Sequence, residues 1–168
     1  MIIGACLAFT LSVQAKEKED YWLIGPLYSF DGINYDFQKN RFSGSPEMYL
    51  GMQGFYKHDR WYGTGGHFAF SQTDNTLEMG LNARYFYTLP LVEPYFGGNL
   101  NYSTRDKGGF SLALRPGAHI QIFPHTILDV YALGRYDLFD HIFGVSSQEE
   151  TDKTRFYAGF GLSVMYQY

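Results

Sequence analysis

Apolar side chains recur at every second position along most of this chain. In 156–168 the set Phe156, Ala158, Phe160, Leu162, Val164, Tyr166 and Tyr168 alternates with Tyr157, Gly159, Gly161, Ser163, Met165 and Gln167. A period of two over this length predicts a strand with one apolar face and one small or polar face. In 76–88 Leu77, Met79, Leu81, Ala83, Tyr85 and Tyr87 oppose Glu78, Gly80, Asn82, Arg84 and Phe86. In 110–123 Phe110, Leu112, Leu114, Ala118, Ile120 and Ile122, interrupted by Pro116, oppose Ser111, Arg115, Gly117, His119 and Gln121. In 126–138 Leu128, Val130, Ala132, Tyr136 and Leu138 oppose Asp129, Tyr131, Arg135 and Asp137. Eight strand segments result, at 21–30, 47–57, 61–71, 76–88, 94–103, 110–123, 126–138 and 154–168. Pro26 interrupts the first, and Ile33, Tyr35 and Phe37 continue its alternation past Asp31-Gly32.

The connections alternate too. Asp31 to Pro46, Gln72 to Asn75, Thr104 to Gly109 and Phe139 to Lys153 include two long loops, whereas His58-Asp59-Arg60, Leu89 to Glu93 and Pro124-His125 are all short. Short turns at one end and longer loops at the other predict an up-and-down antiparallel meander of eight strands, closed into a barrel.

Two such barrels are possible: a soluble one with the apolar face inward around a ligand, and a membrane one with that face outward. Lysine discriminates between them. Lys16, Lys18, Lys39, Lys57, Lys107 and Lys153 fall in the N-terminal arm, in loops or at a strand end. A water-facing strand surface would carry several. The bore of eight strands is narrow, so small residues and compact pairs belong inside, and the larger Tyr, Phe, Leu and Ile outside. The expected fold is therefore all-β, an eight-stranded antiparallel up-and-down transmembrane β-barrel. Hydrocarbon leaves no backbone group unpaired, so the last strand must zip against the first.

With 168 residues the chain suits one domain, and its composition, fifteen Tyr, fifteen Phe and nineteen Gly against six Pro, favours strands and tight turns. The net charge of −4 comes without a basic run, which excludes nucleic acid as a partner. Residues 1–15 read as a signal peptide: a short apolar core closes on Val13-x-Ala15 and is cut before Lys16, leaving 16–168 as the barrel domain. Cys6 falls inside that leader, so the mature chain would hold no cysteine.

The closing residues Phe160, Leu162, Val164, Tyr166 and Tyr168, together with the eight-strand pattern over 21–168, resemble the small outer-membrane barrels of the OmpA/OmpX type. In that superfamily an aromatic end on the last strand is the signal read by the barrel-insertion machinery. The resemblance implies that these five residues are the assembly signal and that the protein resides in the bacterial outer membrane. It implies as partners the lipids and lipopolysaccharide of that membrane, and the insertion machinery during assembly.

Candidate chemistry lies on the inward face. Glu78, Asn82, Arg84, Arg115, His119, Asp129, Arg135 and Asp137 form the expected polar network of the lumen, with Gln53, His67, Asn99, Asn101 and Gln121 beside them. Eight strands leave little free bore, which favours packed ion pairs over an open pore. A tight hairpin at 123–126 would bring His119 near Asp129 and Arg115 near Arg135, with Asp137 the nearest acid to separate the two arginines. Enzymes exist on this architecture. Lipid A deacylases of the PagL type carry a His-x-Ser pair, which His67-Phe68-Ala69 and His119-Ile120-Gln121 break; palmitoyltransferases of the PagP type use His, Asp and Ser of the outer loops, residue types found here as Asp140, His141, Ser146 and Ser147. No cluster has zinc spacing and no phosphate-binding glycine loop occurs. Gly63-Thr64-Gly65-Gly66, inside a strand, relieves crowding.

The expected protein is a monomeric, integral outer-membrane barrel without cofactor or enzymatic activity. Its role would be structural or one of surface interaction, with loops 31–46 and 139–153 contacting any extracellular ligand. A small lipid-modifying enzyme and a soluble lipocalin-like carrier are the alternatives.

Overall fold

In the computed structural model, residues 20–36, 41–43, 47–71, 73, 75–104, 109–139 and 156–168 are described. The expected leader 1–15 and the loop residues Asp140, His141, Ser146 and Ser147 lie outside them. The strands are β1 (Tyr21–Asp36), β2 (Arg41–Ser43), β3 (Glu47–Lys57), β4 (Tyr62–Ser71), β5 (Thr76–Phe86), β6 (Val92–Ser103), β7 (Gly109–Phe123), β8 (Thr126–Phe139) and β9 (Phe156–Gln167). All but β2 form the barrel wall. Sequential strands pair antiparallel from β3 through β9, β1 pairs β3, and β9 pairs back onto β1 from Leu23↔Gln167 to Asn34↔Tyr157. Closure abolishes the open edges that lipid would not tolerate.

Eight wall strands thus match the eight expected segments, with boundary differences that have local causes. β1 continues to Asp36 instead of ending near residue 30. Its ladder with β9 shifts register between Phe30 and Ile33, and β2 pairs with the extension at Asn34↔Ser43 through Asp36↔Arg41. Segment 31–46, expected as a loop, is therefore in part a strand extension with its own short partner. Pro26 is tolerated because the β1–β9 pairing skips it, passing from Ile24↔Tyr166 to Leu27↔Ser163, while the Ser163 hydroxyl donates to the Pro26 carbonyl. The short turns share one rim. Asp59 Oδ1 accepts from the Tyr62 and Trp61 amides, closing the β3–β4 turn, and the Gln167 and Tyr168 amides donate to the carbonyls of His125 and Trp22. At the other rim Asn75 ends the β4–β5 turn with φ 52°, a conformation Asn tolerates better than most residues.

Burial follows the period of two. Along β5 inward and outward positions alternate without interruption from Thr76 to Phe86, and Leu81 at its middle is 69% exposed. Outward aromatic residues gather at both rims. Trp22, Trp61, Tyr62, Tyr85, Tyr87, Tyr166 and Tyr168 ring the short-turn end, and the Phe30–Phe160 and Tyr102–Phe110 pairs sit toward the other. Leu, Ile, Met and Val fill the band between. An apolar band flanked by two aromatic girdles is the outer surface of a membrane barrel.

The expectation that large residues stay outside holds only in part. Tyr49, Phe55, Phe86, Tyr95 and Tyr131 are buried in the lumen. Glycine makes the room: a Cβ at Gly117 would come within 2.6 Å of the Tyr95 hydroxyl, and one at Gly161 would strike the Tyr131 ring.

Candidate functional site

The inward side chains meet in ionic tiers stacked along the barrel. The middle tier centres on Asp129 of β8, opposite His119 in the β7–β8 register. Its Oδ2 accepts from Arg84 Nη1 at 3.0 Å, Arg115 Nη2 at 2.8 Å and Gln53 Nε2 at 3.0 Å, and its Oδ1 from the Tyr95 hydroxyl at 2.7 Å. Gln53 Oε1 in turn accepts from both guanidiniums at 3.1 Å. Arg84 Nη1 also donates to His119 Nε2 at 2.8 Å, which makes that ring nitrogen an acceptor. Aromatic faces complete the packing, with Arg115 3.5 Å above the Tyr131 ring and Arg84 between Phe55 and Tyr95. One carboxylate thus serves two arginines, none of the three reached by solvent.

The second tier lies toward the longer loops. Arg135 Nη1 donates to Asp31 Oδ2 and to Glu78 Oε2, both at 2.7 Å, and Glu78 Oε1 meets His67 Nε2 at 3.3 Å. The Tyr49 hydroxyl donates to buried Glu47 close by. At the short-turn rim Lys57 pairs with Glu93 at 2.6 Å and lies over the Phe86 ring, closing that end.

The structure places the sequence candidates unequally. Arg84, Arg115, His119 and Asp129 meet in one tier, Glu78 and Arg135 in another, and Asn82 lies between them on β5. Arg115 stands diagonal to Arg135, which opposes Ala113, and the two turn to different acids; the arginines that share a carboxylate are Arg84 and Arg115. The Asp137 side chain lies outside the described residues. Gln121 keeps the inward parity, opposite buried Ile127, but stands at the open short-turn mouth, where it is exposed and donates to the Pro124 carbonyl. Asp31, Lys57 and Tyr95 complete the tiers although sequence reasoning did not single them out. Asp31 and Lys57 share odd parity with inward neighbours on their strands, a signal masked because Leu23, Leu27 and Phe55, the reference residues of that parity, are apolar.

Between the tiers is a sector without ion pairs among the described residues. Asn82 of β5 faces Asn99 of β6, and Asn101 lies one inward position further along β6. All three are buried, yet Asn82 Nδ2 and Oδ1, Asn99 Oδ1 and Asn101 Nδ2 and Oδ1 have no protein partner among the described residues. Each such atom left dry would cost about 1–3 kcal/mol.

Outside, an apolar groove of about 1170 Å³ crosses the lipid-facing wall, floored by Gly54, Gly66, Ala83 and Gly98 and walled by Leu81, Leu100 and Leu114. A Cβ at Gly54 would meet nothing within 4 Å, so the groove opens outward. No group of three or more metal-ligating side chains occurs among the described residues.

A closed antiparallel wall, an outward apolar band with two aromatic girdles and an ionic lumen define a transmembrane β-barrel of the small eight-stranded class. Solved structures agree at the level of fold. Neisserial surface protein A aligns with a TM-score of 0.57 at 13% identity, covering 92% of this chain and all of that one. A de novo designed transmembrane β-barrel gives 0.56 at 12% identity, covering 92% and 100%. The outer-membrane protein OprG from Pseudomonas aeruginosa gives 0.50 at 10% identity, covering 90% and 97%. No protein-family model matches the chain, and no curated protein sequence matches it.

Proposed function

We propose that the protein is a monomeric integral barrel of the bacterial outer membrane with a structural or surface-interaction role. Residues between the long-loop strands, 139–153 above all, would be its contact surface. The observation that carries this reading is the lumen: side chains from most wall strands lock across it in hydrogen-bonded ion pairs, so the bore is neither a carrier cavity nor an open pore. An outward apolar face is equally unsuited to a soluble carrier. Phe160, Leu162, Val164 and Tyr166 all point outward on the closing strand, and Tyr168 extends that face, an arrangement that supports their reading as the assembly signal.

The protein should fractionate with the outer membrane and leave it only in detergent, and reconstitution into planar bilayers should give no steady single-channel conductance. Recovery from the periplasm without detergent, or a stable conductance, would overturn the proposal. Deleting Tyr168 should lower the folded, heat-modifiable fraction in the membrane more than deleting Lys16 and Glu17; equal yields would remove it from the signal.

A further inference from the structure

We infer that the lumen holds a bound cluster of water molecules between its two ionic tiers, seated on Asn82, Asn99 and Asn101. The three carboxamides lie on adjoining strands, with Asn82 and Asn99 directly opposite in the β5–β6 register. Side chains so placed could bond to each other and satisfy one donor and one acceptor. They do not: both polar atoms of Asn82, both of Asn101 and the Asn99 oxygen stay without a protein partner among the described residues. Buried carboxamides that forgo each other are satisfied by a third molecule, and buried water commonly makes two to four such bonds.

The donor and acceptor pattern selects the ligand. Asn82 and Asn101 each present a donor and an acceptor, so the guest must both give and take hydrogen bonds. A cation would use only the oxygens, and the neighbouring tier, two guanidiniums on one carboxylate, opposes positive charge. An anion would use only the amides and would lie near Glu78 of the other tier. Neutral water fits all five atoms. On β5 the inward order is Glu78, Gly80, Asn82, Arg84, so the cluster stands one step from each tier. Gly80 makes room for Asn101 and His67 to reach into this sector, since a Cβ there would strike the Asn101 oxygen and the His67 ring. The result is a hydrogen-bonded column from Glu78 through the carboxamides and their water to Arg84 and Asp129.

Two measurements on the full mature chain in lipid nanodiscs decide the matter. In protein labelled with ¹⁵N-asparagine, magnetisation transfer from water to the side-chain amides of Asn82 and Asn101 should match in strength that seen at exposed Asn75. No transfer at either buried residue would show a dry sector and overturn the inference. The second is urea unfolding of Asn82→Leu. If water satisfies the carboxamides, the leucine displaces it and strands Asn99 and Asn101, so the unfolding midpoint falls; in a dry sector the same change removes two unpaired atoms and the midpoint rises, which would overturn the inference independently.

Discussion

Asp129 accepts from four side chains on four other strands, Gln53, Arg84, Tyr95 and Arg115. Removing it leaves two buried guanidiniums without a counter-ion, a change that costs about 3–5 kcal/mol when one partner of a buried pair is lost. Asp129→Ala should therefore lower the stability measured by reversible urea unfolding from vesicles far more than Glu93→Gln. Glu93 sits at the rim, where its side chain is 19% exposed, and a glutamine there keeps an oxygen that can accept from Lys57. Equal losses would deny the middle tier its role. Gly161→Ala makes a second case: its methyl would enter the Tyr131 ring, at about 1–3 kcal/mol for overpacking. A Tyr131→Leu background should relieve most of that loss in a double-mutant cycle, and additive losses would place the strain elsewhere. The sequence made Asp129, His119 and both arginines legible because they interrupt otherwise small faces. It hid the partners: which arginine reaches which acid depends on interstrand register and rotamer, and period-two reading supplies neither.

Strands were the most legible feature, since hydrophobic alternation and the physical cause of the sheet are the same thing: one face in lipid, one in a narrow lumen. Their ends were less so. β1 runs past Asp31-Gly32 because a register shift in its ladder with β9 absorbs the irregularity there, which only the partner strand settles. The face assignment yields its own prediction. Leu81→Arg, at the middle of β5, puts a charge near the bilayer midplane and should cost about 2–4 kcal/mol. Tyr85→Arg, four residues nearer the short-turn rim, should cost less, because the penalty falls toward the interface. A Leu81→Arg penalty no larger than that of Tyr85→Arg would contradict the depth ordering.

For the molecule as a whole, the chain's described start and its end meet at the short-turn rim, with the aromatic residues that mark one membrane interface. That rim should face the periplasm. An epitope tag at Ser146-Ser147 should bind antibody on intact cells, and one at His58-Asp59 should do so only after permeabilisation; the reverse pattern would invert the orientation. The central claim is that the outward face of the closed wall lies in hydrocarbon. It is tested most directly by spin labels placed singly at residues 77, 79, 81, 83 and 85 of β5, in chain 16–168, which has no cysteine of its own, reconstituted into vesicles. Accessibility to oxygen should peak at position 81 and accessibility to a water-soluble nickel complex should be lowest there, with the ordering reversed toward both ends of the strand. High nickel accessibility at all five positions would place this face in water and contradict the account.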